Sequence, residues 1–448
     1  MKLALISLGC SKNLVDSENL IGIMVNKKGF EITAEIEEAD VALINTCGFI
    51  GDAKEESIQT ILEIAEHKRD GNLKKIIVAG CLAQRYAEEI INEMPEVDAV
   101  IGTGEIDKIE EVVDEVLAGR KIIKSESLEF LANSKTERIL TTHPHTAYLK
   151  IAEGCNRRCT YCIIPKLRGN LRSRSIEDIV EEAERLAAGG VREINLLAQE
   201  TTEYGIDLYK KKALPDVLRA LSKVDGIEWI RTYYMFPNSI TDELIETMKE
   251  EEKVCKYFDV PVQHVADSVL RNMGRAKTGQ QIKDLLYKIR KKVPDATIRT
   301  TVIVGFPGET EEDFIELKDF VEEFKFDYVG VFKYSREEDT VAHDMDEQID
   351  EDIKHRRWVE LTNLQSEIAE MKNKEFIGKT IEVMIDAVSS ESEYMLEGRT
   401  RGQALEIDGK ILTNDGTAKQ GEIVKVKIEQ NFDYDLLGAI VENENTVD

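Results

Sequence analysis

The chain has 448 residues, of which 42% are hydrophobic, and its 87 acidic and 59 basic residues give a net charge of −28 at pH 7. The length predicts about three domains, and the hydrophobic content excludes a largely disordered chain. Because nucleic acids are bound mainly through phosphate neutralisation by Lys and Arg, the acidity argues against a non-specific nucleic-acid binder. It suits a basic partner, although acidity also serves simply to keep a protein soluble.

No apolar run reaches the roughly 18 residues that a membrane-spanning helix needs, so no membrane association is expected. The apolar run before Gly9-Cys10 is too short for a signal peptide and lacks a basic stretch in front of it. We therefore expect a cytoplasmic protein. In a reducing cytosol, its seven cysteines are expected to be metal ligands or core residues rather than disulfides.

The first 120 residues (1–120) alternate apolar runs with helix-period segments such as Ser57–His67, which predicts a doubly wound parallel sheet with helices on both faces. Cys10, Cys47 and Cys81 each follow one of the predicted strands. Since open parallel sheets bind ligands at the carboxyl edge, we expect these three thiols to meet at one site. The alternative is three unrelated buried cysteines. The predicted strands are Lys2–Leu8, Val41–Asn45 and Ile76–Ala79.

Residues 121–142 are polar and lack clear periodicity, so they are predicted to be a linker. Residues 143–374 form a second alternating block, with helical stretches such as Ile176–Ala188 and a closing helix at Asp352–Lys374. Six repeats of strand and helix predict a partial (β/α)6 barrel, a relative of the eight-fold barrel. The six predicted strands are Tyr148–Ala152, Glu193–Ala198, Trp229–Tyr233, Tyr257–Val262, Ile298–Val304 and Tyr328–Tyr334.

Residues 375–448 have a different texture and are predicted to form a third domain. Strand-like runs at Lys379–Val388 and Glu422–Gln430 are separated by turn signals at Asp408-Gly409 and Asp415-Gly416. Several short strands of this kind predict a small antiparallel β-barrel.

The strongest chemical signal is a C-x3-C-x2-C motif that follows the first barrel strand. Iron–sulfur clusters are held by Cys thiolates, normally four, so three local thiolates leave one iron with an open coordination site. Structural zinc is the competing interpretation, but zinc normally takes four ligands in paired units, and no second pair lies nearby. An apolar strand separates His143 and His145 from the motif. The motif reads Cys155-Asn156-Arg157-Arg158-Cys159-Thr160-Tyr161-Cys162.

This motif, with an aromatic residue before its last cysteine, resembles that of the radical S-adenosylmethionine superfamily. Over essentially its full length the chain is similar to the methylthiotransferase family within it. That family has the same order of a three-cysteine domain, a radical domain and a small β-barrel called TRAM. The residues that carry this similarity are Glu153-Gly154-Cys155-Asn156, Ile163-Ile164-Pro165, Arg168-Gly169 and Arg172-Ser173-Arg174.

The resemblance implies two [4Fe-4S] clusters, one on the barrel motif and a second, which handles sulfur, on the three N-terminal cysteines. In this family the open iron binds S-adenosylmethionine, and reduction cleaves the cofactor to a 5′-deoxyadenosyl radical. A second S-adenosylmethionine methylates the sulfur, and the methylthio group is transferred to a carbon from which the radical has taken hydrogen. A one-electron donor such as a flavodoxin or ferredoxin is required. The implied metal ligands are Cys10, Cys47, Cys81, Cys155, Cys159 and Cys162; no further catalytic residue is predicted.

Six residues are predicted to contact the cofactor. Tyr161 precedes the last motif cysteine and is expected to shield the cluster or the cofactor. Gly305 belongs to a turn that, by the resemblance, lies near the adenosine, although a plain strand-to-helix turn is the alternative. The other four lie near predicted strand ends and are Gln199, Glu200, Gln263 and Arg299. A basic cluster either contacts the cofactor or substrate or is a solvated loop, and it consists of Arg168, Arg172 and Arg174.

The family has two branches, one that modifies adenosines in transfer RNA and one that modifies the β-carbon of an aspartate in ribosomal protein S-12. The transfer-RNA branch usually reads Tyr-Gly-Cys-Gln-Met-Asn around its first cysteine, whereas this chain reads Leu8-Gly9-Cys10-Ser11-Lys12-Asn13. That sequence favours the second branch, with ribosomal protein S-12 as the partner, free or within the small subunit. The third domain agrees, because between Phe376 and Ile440 it has twelve acidic and seven basic residues, which suits a basic protein better than RNA.

The chain departs from the usual pattern of that branch at three positions, with Glu200 in place of Asp, Asp339 in place of Gly and Leu405 in place of Pro. The first change keeps the charge on a longer side chain. Two alternative functions stay open at this point. One is a transfer-RNA adenosine methylthiotransferase, and the other is a non-enzymatic iron–sulfur sensor or scaffold, which leaves the open iron site and the barrel unexplained.

Overall fold

The first domain of the computed structural model is a single sheet with its flanking helices. The structure describes residues 1–390, 392 and 395–441, so the end of the predicted third domain, 442–448, lies outside the described residues. The elements of the first domain are β1 (Lys2–Ser7), α1 (Ser11–Lys28), β2 (Glu31–Thr33), β3 (Val41–Thr46), α2 (Gly51–Asp70), β4 (Lys75–Gly80), α3 (Cys81–Arg85), α4 (Ala87–Glu93), β5 (Ala99–Ile101), α5 (Ile109–Leu117) and β6 (Ile122–Lys124), with 3₁₀ turns at Ile36–Glu38 and Ile106–Lys108.

The six strands of this domain are all parallel and lie in the order β2-β1-β3-β4-β5-β6. Because successive strand residues point to opposite faces, Leu43 packs with residues of α1 and α5, and Ile44 packs with residues of α2 and α4. The prediction of a doubly wound parallel sheet is therefore confirmed. Part of the segment predicted as a linker instead completes this sheet, because Ile122–Lys124 forms its edge strand beside β5.

The second domain alternates strands and helices over residues 146–374. Three of its helices begin after Ser175, Thr278 and Thr310, whose side chains cap the first turn. Its elements are β7 (Thr146–Lys150), β8 (Ala152–Glu153), α6 (Ile164–Arg168), β9 (Arg172–Ser173), α7 (Ile176–Ala188), β10 (Glu193–Leu197), α8 (Leu214–Leu221), β11 (Trp229–Thr232), α9 (Asp242–Glu250), β12 (Tyr257–Asp259), α10 (Asp267–Asn272), α11 (Gly279–Lys292), β13 (Thr297–Val304), α12 (Glu311–Phe324), β14 (Tyr328–Lys333) and α13 (Glu351–Lys374), with 3₁₀ turns at Thr201–Glu203, Pro237–Ser239 and Val341–Asp344.

The main strands of the second domain form two parallel arcs, β11-β10-β7 and β12-β13-β14. A bridge between Ile230 and Val254 lies between the two arcs, and one apolar core runs between the strands and the surrounding helices. All six predicted strands are present, so the partial (β/α)6 barrel is confirmed. The short strands β8 and β9 pair with each other and flank the segment that contains the cysteine motif.

The third domain is a closed five-stranded barrel, as predicted in outline. The barrel closes in the order Thr380–Val388, Leu396–Arg399, Ile411–Asp415, Asp435–Ile440 and Ile423–Phe432. Neighbouring strands are antiparallel, as predicted, except Ile411–Asp415 and Asp435–Ile440, which run parallel. The reason is geometric, because an odd number of strands cannot alternate in direction all the way around a closed ring. The strands are β15 (Thr380–Val388), β16 (Leu396–Arg399), β17 (Ile411–Asp415), β18 (Ile423–Phe432) and β19 (Asp435–Ile440).

Buried ion pairs hold the third domain against the barrel. The guanidinium of Arg399 lies 2.7 Å from a carboxylate oxygen of Glu193 and 2.7 Å from one of Asp386, and Glu193 also pairs with Arg231 at 3.2 Å. Glu193 begins β10, so this contact lies at the amino ends of the barrel strands. The carboxyl ends, where the cysteine motif begins, are at the opposite side of the barrel.

Further buried pairs fix the first domain to the second. Arg138 lies 2.7 Å from Glu18 and 2.8 Å from Glu182, and Arg85 lies 2.9 Å from Glu337. These pairs dock the first sheet beside the barrel mouth. None of the helices that the structure describes is long and apolar enough to cross a membrane.

The docking of the third domain predicts a measurable acid sensitivity. Burial by itself raises the pKa of Glu193, but the guanidinium groups of Arg399 and Arg231 lower it to about 2, from a usual value of 4.5. The resulting stabilisation should be complete above about pH 4.5 and be lost as the pH falls towards 2. We expect Glu193→Gln to lower the free energy of unfolding by about 3 kcal/mol at pH 7, because it leaves the buried guanidinium of Arg231 without a carboxylate and that of Arg399 with Asp386 alone.

Thermal unfolding of the wild type and the variant between pH 7 and pH 2 measures this effect. Glu184→Gln, at an exposed position of α7, is the control and should change the unfolding free energy by less than about 0.5 kcal/mol. A Glu193→Gln protein with wild-type stability and wild-type acid sensitivity would contradict the assignment.

Candidate cluster and cofactor site

Three cysteines of the first domain lie at the carboxyl edge of its sheet. Cys10 occupies the N-cap position of α1, three residues after the end of β1. Cys47 follows β3 directly, and Cys81 is the first residue of α3, directly after β4. Because β1, β3 and β4 are neighbours in the sheet, the three side chains converge. The pKa of the Cys47 thiol is raised to about 11, chiefly by burial and further by the charges of Cys81 and Cys10.

Glycines allow the backbone turns that bring these cysteines together. Gly9 has a φ of 87°, and a Cβ added there would lie 2.8 Å from the Cβ of Cys47. Gly80 has a φ of 96°, and an added Cβ would lie 2.2 Å from Oδ1 of Asn45. Both positions therefore require glycine, for the left-handed backbone and for the close approach.

Asn13 is the polar centre of this edge. Its Nδ2 donates to the carbonyl oxygens of Leu8 at 3.2 Å and Thr46 at 2.9 Å, which ties the loop after β1 to the loop after β3. Its Oδ1 accepts from Arg168 at 2.6 Å and lies 3.6 Å from the sulfur of Cys81. The side chain thus holds the three cysteine-bearing loops in one arrangement.

The second group of cysteines lies in the segment between β8 and α6. Gly154 is the first residue of this segment and has a φ of 80°. A Cβ added there would lie 2.1 Å from the carbonyl oxygen of Asn170. The amide of Arg157 donates to the sulfur of Cys155 at 3.4 Å, and the guanidinium of Arg275 lies 4.0 Å from the sulfur of Cys159. These donors are suited to stabilise thiolate sulfur.

Two thiols of the second group, those of Cys155 and Cys162, have raised pKa values. Burial raises the pKa of Cys155 to about 11 and that of Cys162 to about 12, and the neighbouring thiols add to both shifts. Metal binding removes such protons, because a coordinating thiol is deprotonated.

Both groups have the donor set that an iron–sulfur cluster requires. Each would supply three thiols, the soft ligands that such clusters use, and would leave the remaining coordination position to a non-protein ligand. Among the described residues, no three His, Cys, Asp or Glu side chains are arranged to hold a single metal ion. The fit therefore rests on the thiols and on the donors around them.

A narrow cleft adjoins the second group of cysteines and contains one of the predicted cofactor residues. Glu200 accepts hydrogen bonds from Nε of Arg157 at 3.3 Å and from the hydroxyl of Thr202, while burial raises its pKa to about 7. Gln199 donates to Glu153, and its own carbonyl oxygen is buried without a hydrogen-bond partner among the described residues. The cleft is lined by Cys155, Asn156, Arg157, Leu171, Glu200 and Glu203.

Tyr161 and Gln263 also lie at the carboxyl end of the barrel. The ring of Tyr161 packs edge-on against Phe306, with 6.3 Å between the ring centres. Gln263 has a φ of 70° and joins β13 through its amide, which donates to Thr301 at 2.9 Å, and its carbonyl, which accepts from Ile303 at 2.8 Å. A left-handed glutamine is strained, and such strain is concentrated at functional sites.

The other two predicted cofactor residues are occupied by contacts within the protein. Arg299 lies 3.1 Å from Asp259 and 3.5 Å from Asp408 of the third domain. A Cβ added to Gly305 would lie 2.2 Å from Cγ of Lys354, so the close approach there is to a side chain of α13. Neither contact involves the cysteine motif.

The basic cluster divides into buried and peripheral members. The side chains of Arg168 and Arg174 are each only 2% exposed, so the solvated-loop alternative is wrong for these two. Arg174 pairs with Glu182 at 2.6 Å, whereas the hydrogen bonds of the Arg172 side chain to described residues go to backbone carbonyls. Arg168 lies 2.6 Å from Asp16 and 3.4 Å from the sulfur of Cys81.

Arg168 belongs to a buried network of ion pairs that the sequence does not predict. The ammonium of Lys150 lies 2.5 Å from Asp16 and 2.6 Å from Glu153, and Arg168 reaches the same two carboxylates. Asp16 belongs to the first domain and the other three to the second, so the network joins the two groups of cysteines. One feature of the sequence could have indicated this network. Lys150 lies within a predicted buried strand, and a buried charge requires a partner of opposite charge.

A second feature that the sequence does not predict is an aromatic ring between two guanidinium groups. Arg157 lies 4.3 Å and Arg275 lies 4.0 Å from the ring centre of Phe236. Arg275 also donates to the carbonyl oxygen of Pro261 at 2.5 Å. Cation–π contacts of this kind hold two positive charges beside the cysteine motif.

Comparison with known families and structures agrees with this architecture. A model of the Radical SAM superfamily matches residues 149–321, an uncharacterized protein family, UPF0004, matches residues 2–102, and a TRAM domain matches residues 377–441. Among solved structures, the radical S-adenosylmethionine methyltransferase TsrM from Kitasatospora setae has a TM-score of 0.54 over 74% of this chain and 72% of that chain, at 13% identity. At this identity the similarity shows the fold alone.

Two relatives of similar sequence carry the name ribosomal protein uS12 methylthiotransferase RimO. The one from Clostridioides difficile is 49% identical over 98% of this chain and 99% of its own. The one from Geobacter sulfurreducens is 46% identical over 98% of both chains. The protein therefore belongs to the RimO family of radical S-adenosylmethionine methylthiotransferases.

Proposed function

We propose that this protein transfers a methylthio group to the β-carbon of an aspartate of ribosomal protein uS12, the S-12 protein. The observation that carries the proposal is the presence of two three-cysteine groups joined by one buried ion network through Arg168. Two linked sites suit a reaction that needs both a radical and a sulfur source. Near full-length similarity to proteins named as uS12 methylthiotransferases supports the substrate.

The proposed metal ligands are the six cysteines. When bound, the barrel cluster would supply reductive cleavage of S-adenosylmethionine at its open iron, and the second cluster would supply the sulfur chemistry. The donors beside the sulfurs, such as Arg275, favour the thiolate forms. The proposed sets are Cys155, Cys159 and Cys162 for the barrel cluster and Cys10, Cys47 and Cys81 for the second.

We propose that S-adenosylmethionine binds at the carboxyl ends of the barrel strands, beside Cys155 and the narrow cleft that contains Glu200. Glu200 and Gln199 offer buried oxygen atoms to its charged and polar groups, and Gln263 would contact it from the opposite arc of the barrel. Tyr161, packed against Phe306, would exclude water. Arg299 and Gly305 are not included, because carboxylates and Lys354 already occupy them.

We further propose that a flavodoxin or ferredoxin supplies the electron and that the protein acts in the cytoplasm. Its net charge of −28 favours encounter with a basic ribosomal protein, and direct nucleic-acid binding is not expected to dominate. The proposed domains are 1–120 extended by β6, 143–374 and 375–448. The matched family ranges lie within them.

The first prediction from this proposal concerns iron content. Anaerobic reconstitution should load about eight irons per chain, because each four-iron cluster is held by cysteine thiolates. Replacing Cys155, Cys159 and Cys162 together by Ala should leave about four, and so should the triple replacement of Cys10, Cys47 and Cys81. Cys255→Ala, in the core, is the control and should keep all eight. Full iron loading by the second triple variant would overturn the assignment of the sheet-edge site.

The next prediction separates the roles of the two sites. The variant without Cys10, Cys47 and Cys81 should still form 5′-deoxyadenosine from S-adenosylmethionine, since that cleavage needs only the barrel cluster, but it should form no methylthiolated uS12. The variant without the barrel cysteines should form neither product. Chromatography of the nucleoside and mass spectrometry of uS12 provide the two measurements. Appreciable 5′-deoxyadenosine from the variant without the barrel cysteines would refute the open-iron assignment.

A further prediction tests the proposed steering by charge. Glu406, Glu429 and Asp433 are exposed on the third domain, and their joint replacement by Lys should slow the modification of uS12 several-fold at low salt. The effect should fade as salt shortens the Debye length to about 8 Å or less. Asp408 is unsuitable for this test because its side chain is only 1% exposed and pairs with Arg299.

Cleavage of S-adenosylmethionine in the absence of substrate is the control for this charge reversal and should not change. A transfer-RNA enzyme would respond in the opposite sense, because added lysines strengthen binding to a polyanion. Faster modification of transfer RNA, with uS12 left unmodified, would reject the proposed substrate.

A further inference from the structure

Lys12 is a buried cation that has no carboxylate partner in the part of the chain that the structure describes. The residue is only 8% exposed, in the first turn of α1 and two positions after Cys10. Its ammonium lies 3.4 Å from the centre of the Tyr234 ring and also interacts electrostatically with the nearby Cys10, but no carboxylate among the described residues pairs with it. A ring face attracts a cation but does not neutralise it.

The other buried lysines of the described chain each have a carboxylate partner. Lys150 lies between two carboxylates at 2.5 and 2.6 Å, and Lys354 lies 2.7 Å from Glu351. Burying an ammonium is costly unless an anion compensates it. Lys12 is therefore the buried lysine of the described chain whose charge no carboxylate of the chain compensates, so an anion from outside the chain would stabilise it.

The position of Lys12 connects it to both reaction sites. It lies beside Cys10, a proposed ligand of the second cluster, and its ammonium reaches Tyr234, two residues beyond the carboxyl end of β11. Tyr234 has a φ of 57°; its carbonyl accepts from Thr201, which follows β10, and its amide donates to the carboxylate of Asp259, the last residue of β12. The carboxyl ends of barrel strands are where substrates of such barrels react.

The proposed substrate side chain carries the matching charge. In an aspartate, the carboxylate is bonded directly to the β-carbon that would receive the methylthio group. A carboxylate drawn into a buried site needs a cation or hydrogen-bond donors, and an ammonium provides both. We propose that Lys12 binds the carboxylate of the target aspartate and thereby positions its β-carbon between the two clusters.

This inference rests on the proposed function and adds a basis for substrate choice. The transfer-RNA motif quoted above has methionine at the place of Lys12, an uncharged side chain of similar length. Adenosine carries no carboxylate, so a cation there would have no counterpart. Lys12 is thus a specificity-determining residue, and Lys12→Met is the variant of matched length that removes only its charge and its donors.

The test is the affinity of cluster-loaded enzyme for two peptides of uS12, one with the target aspartate and one with asparagine in its place, measured by fluorescence anisotropy. Wild-type enzyme should bind the aspartate peptide about tenfold more tightly, as expected for a hydrogen bond between charged groups. Lys12→Met should lose that preference while its affinity for the asparagine peptide stays within about twofold of the wild-type value. Lys12→Arg, which keeps the charge, should retain the preference.

Equal affinity of the wild type for both peptides would overturn the inference, and this measurement does not depend on whether a variant folds. An equal loss of affinity for both peptides in Lys12→Met would also overturn it, because that pattern indicates a structural role. Methylthiolation of the aspartate peptide by the wild type is recorded alongside. Its absence would refute the proposed function, whereas its presence without a charge preference would refute only the role of Lys12.

Discussion

Four buried charges determine how the two cysteine groups lie relative to each other. Asp16 from the first domain and Glu153 from the second share the cations Lys150 and Arg168, at distances between 2.5 and 3.4 Å. The set is electrically neutral, and removal of any one member would leave an uncompensated buried charge, at a cost of several kcal/mol. Glu153 lies two residues before Cys155, and Arg168 donates to Cys81, so the network connects directly to both sites.

The two ends of the barrel differ in how completely their buried polar groups are paired. At the amino ends of the strands, Glu193, Arg231 and Arg399 form a closed set of charges that docks the third domain. At the carboxyl ends, the buried polar groups are less fully paired, as the carbonyl oxygen of Gln199 and the ammonium of Lys12 illustrate. This difference is expected, because ligands of such barrels bind at the carboxyl ends of the strands and can pair with the polar groups there.

Much of this arrangement could be predicted from the sequence. Regular alternation of apolar runs predicts the sheet and the barrel, and the strand-end positions of Cys10, Cys47 and Cys81 follow from it. The conformation of Asp339 was not predicted: its φ of 66° is one that glycine adopts without strain.

Contacts between distant segments could not be predicted in the same way. The partners of Lys150, Arg168 and Arg299 come from other domains, and periodicity carries no information about them. The parallel pairing of β17 with β19 likewise follows from ring closure rather than from any local pattern. The most direct test of the central claim is mass spectrometry of uS12 and transfer RNA from cells with and without this protein. The account predicts a methylthio group on one aspartate of uS12 that disappears with the protein, while transfer RNA is unchanged. Loss of a methylthio group from transfer RNA, with uS12 identical in both strains, would contradict it.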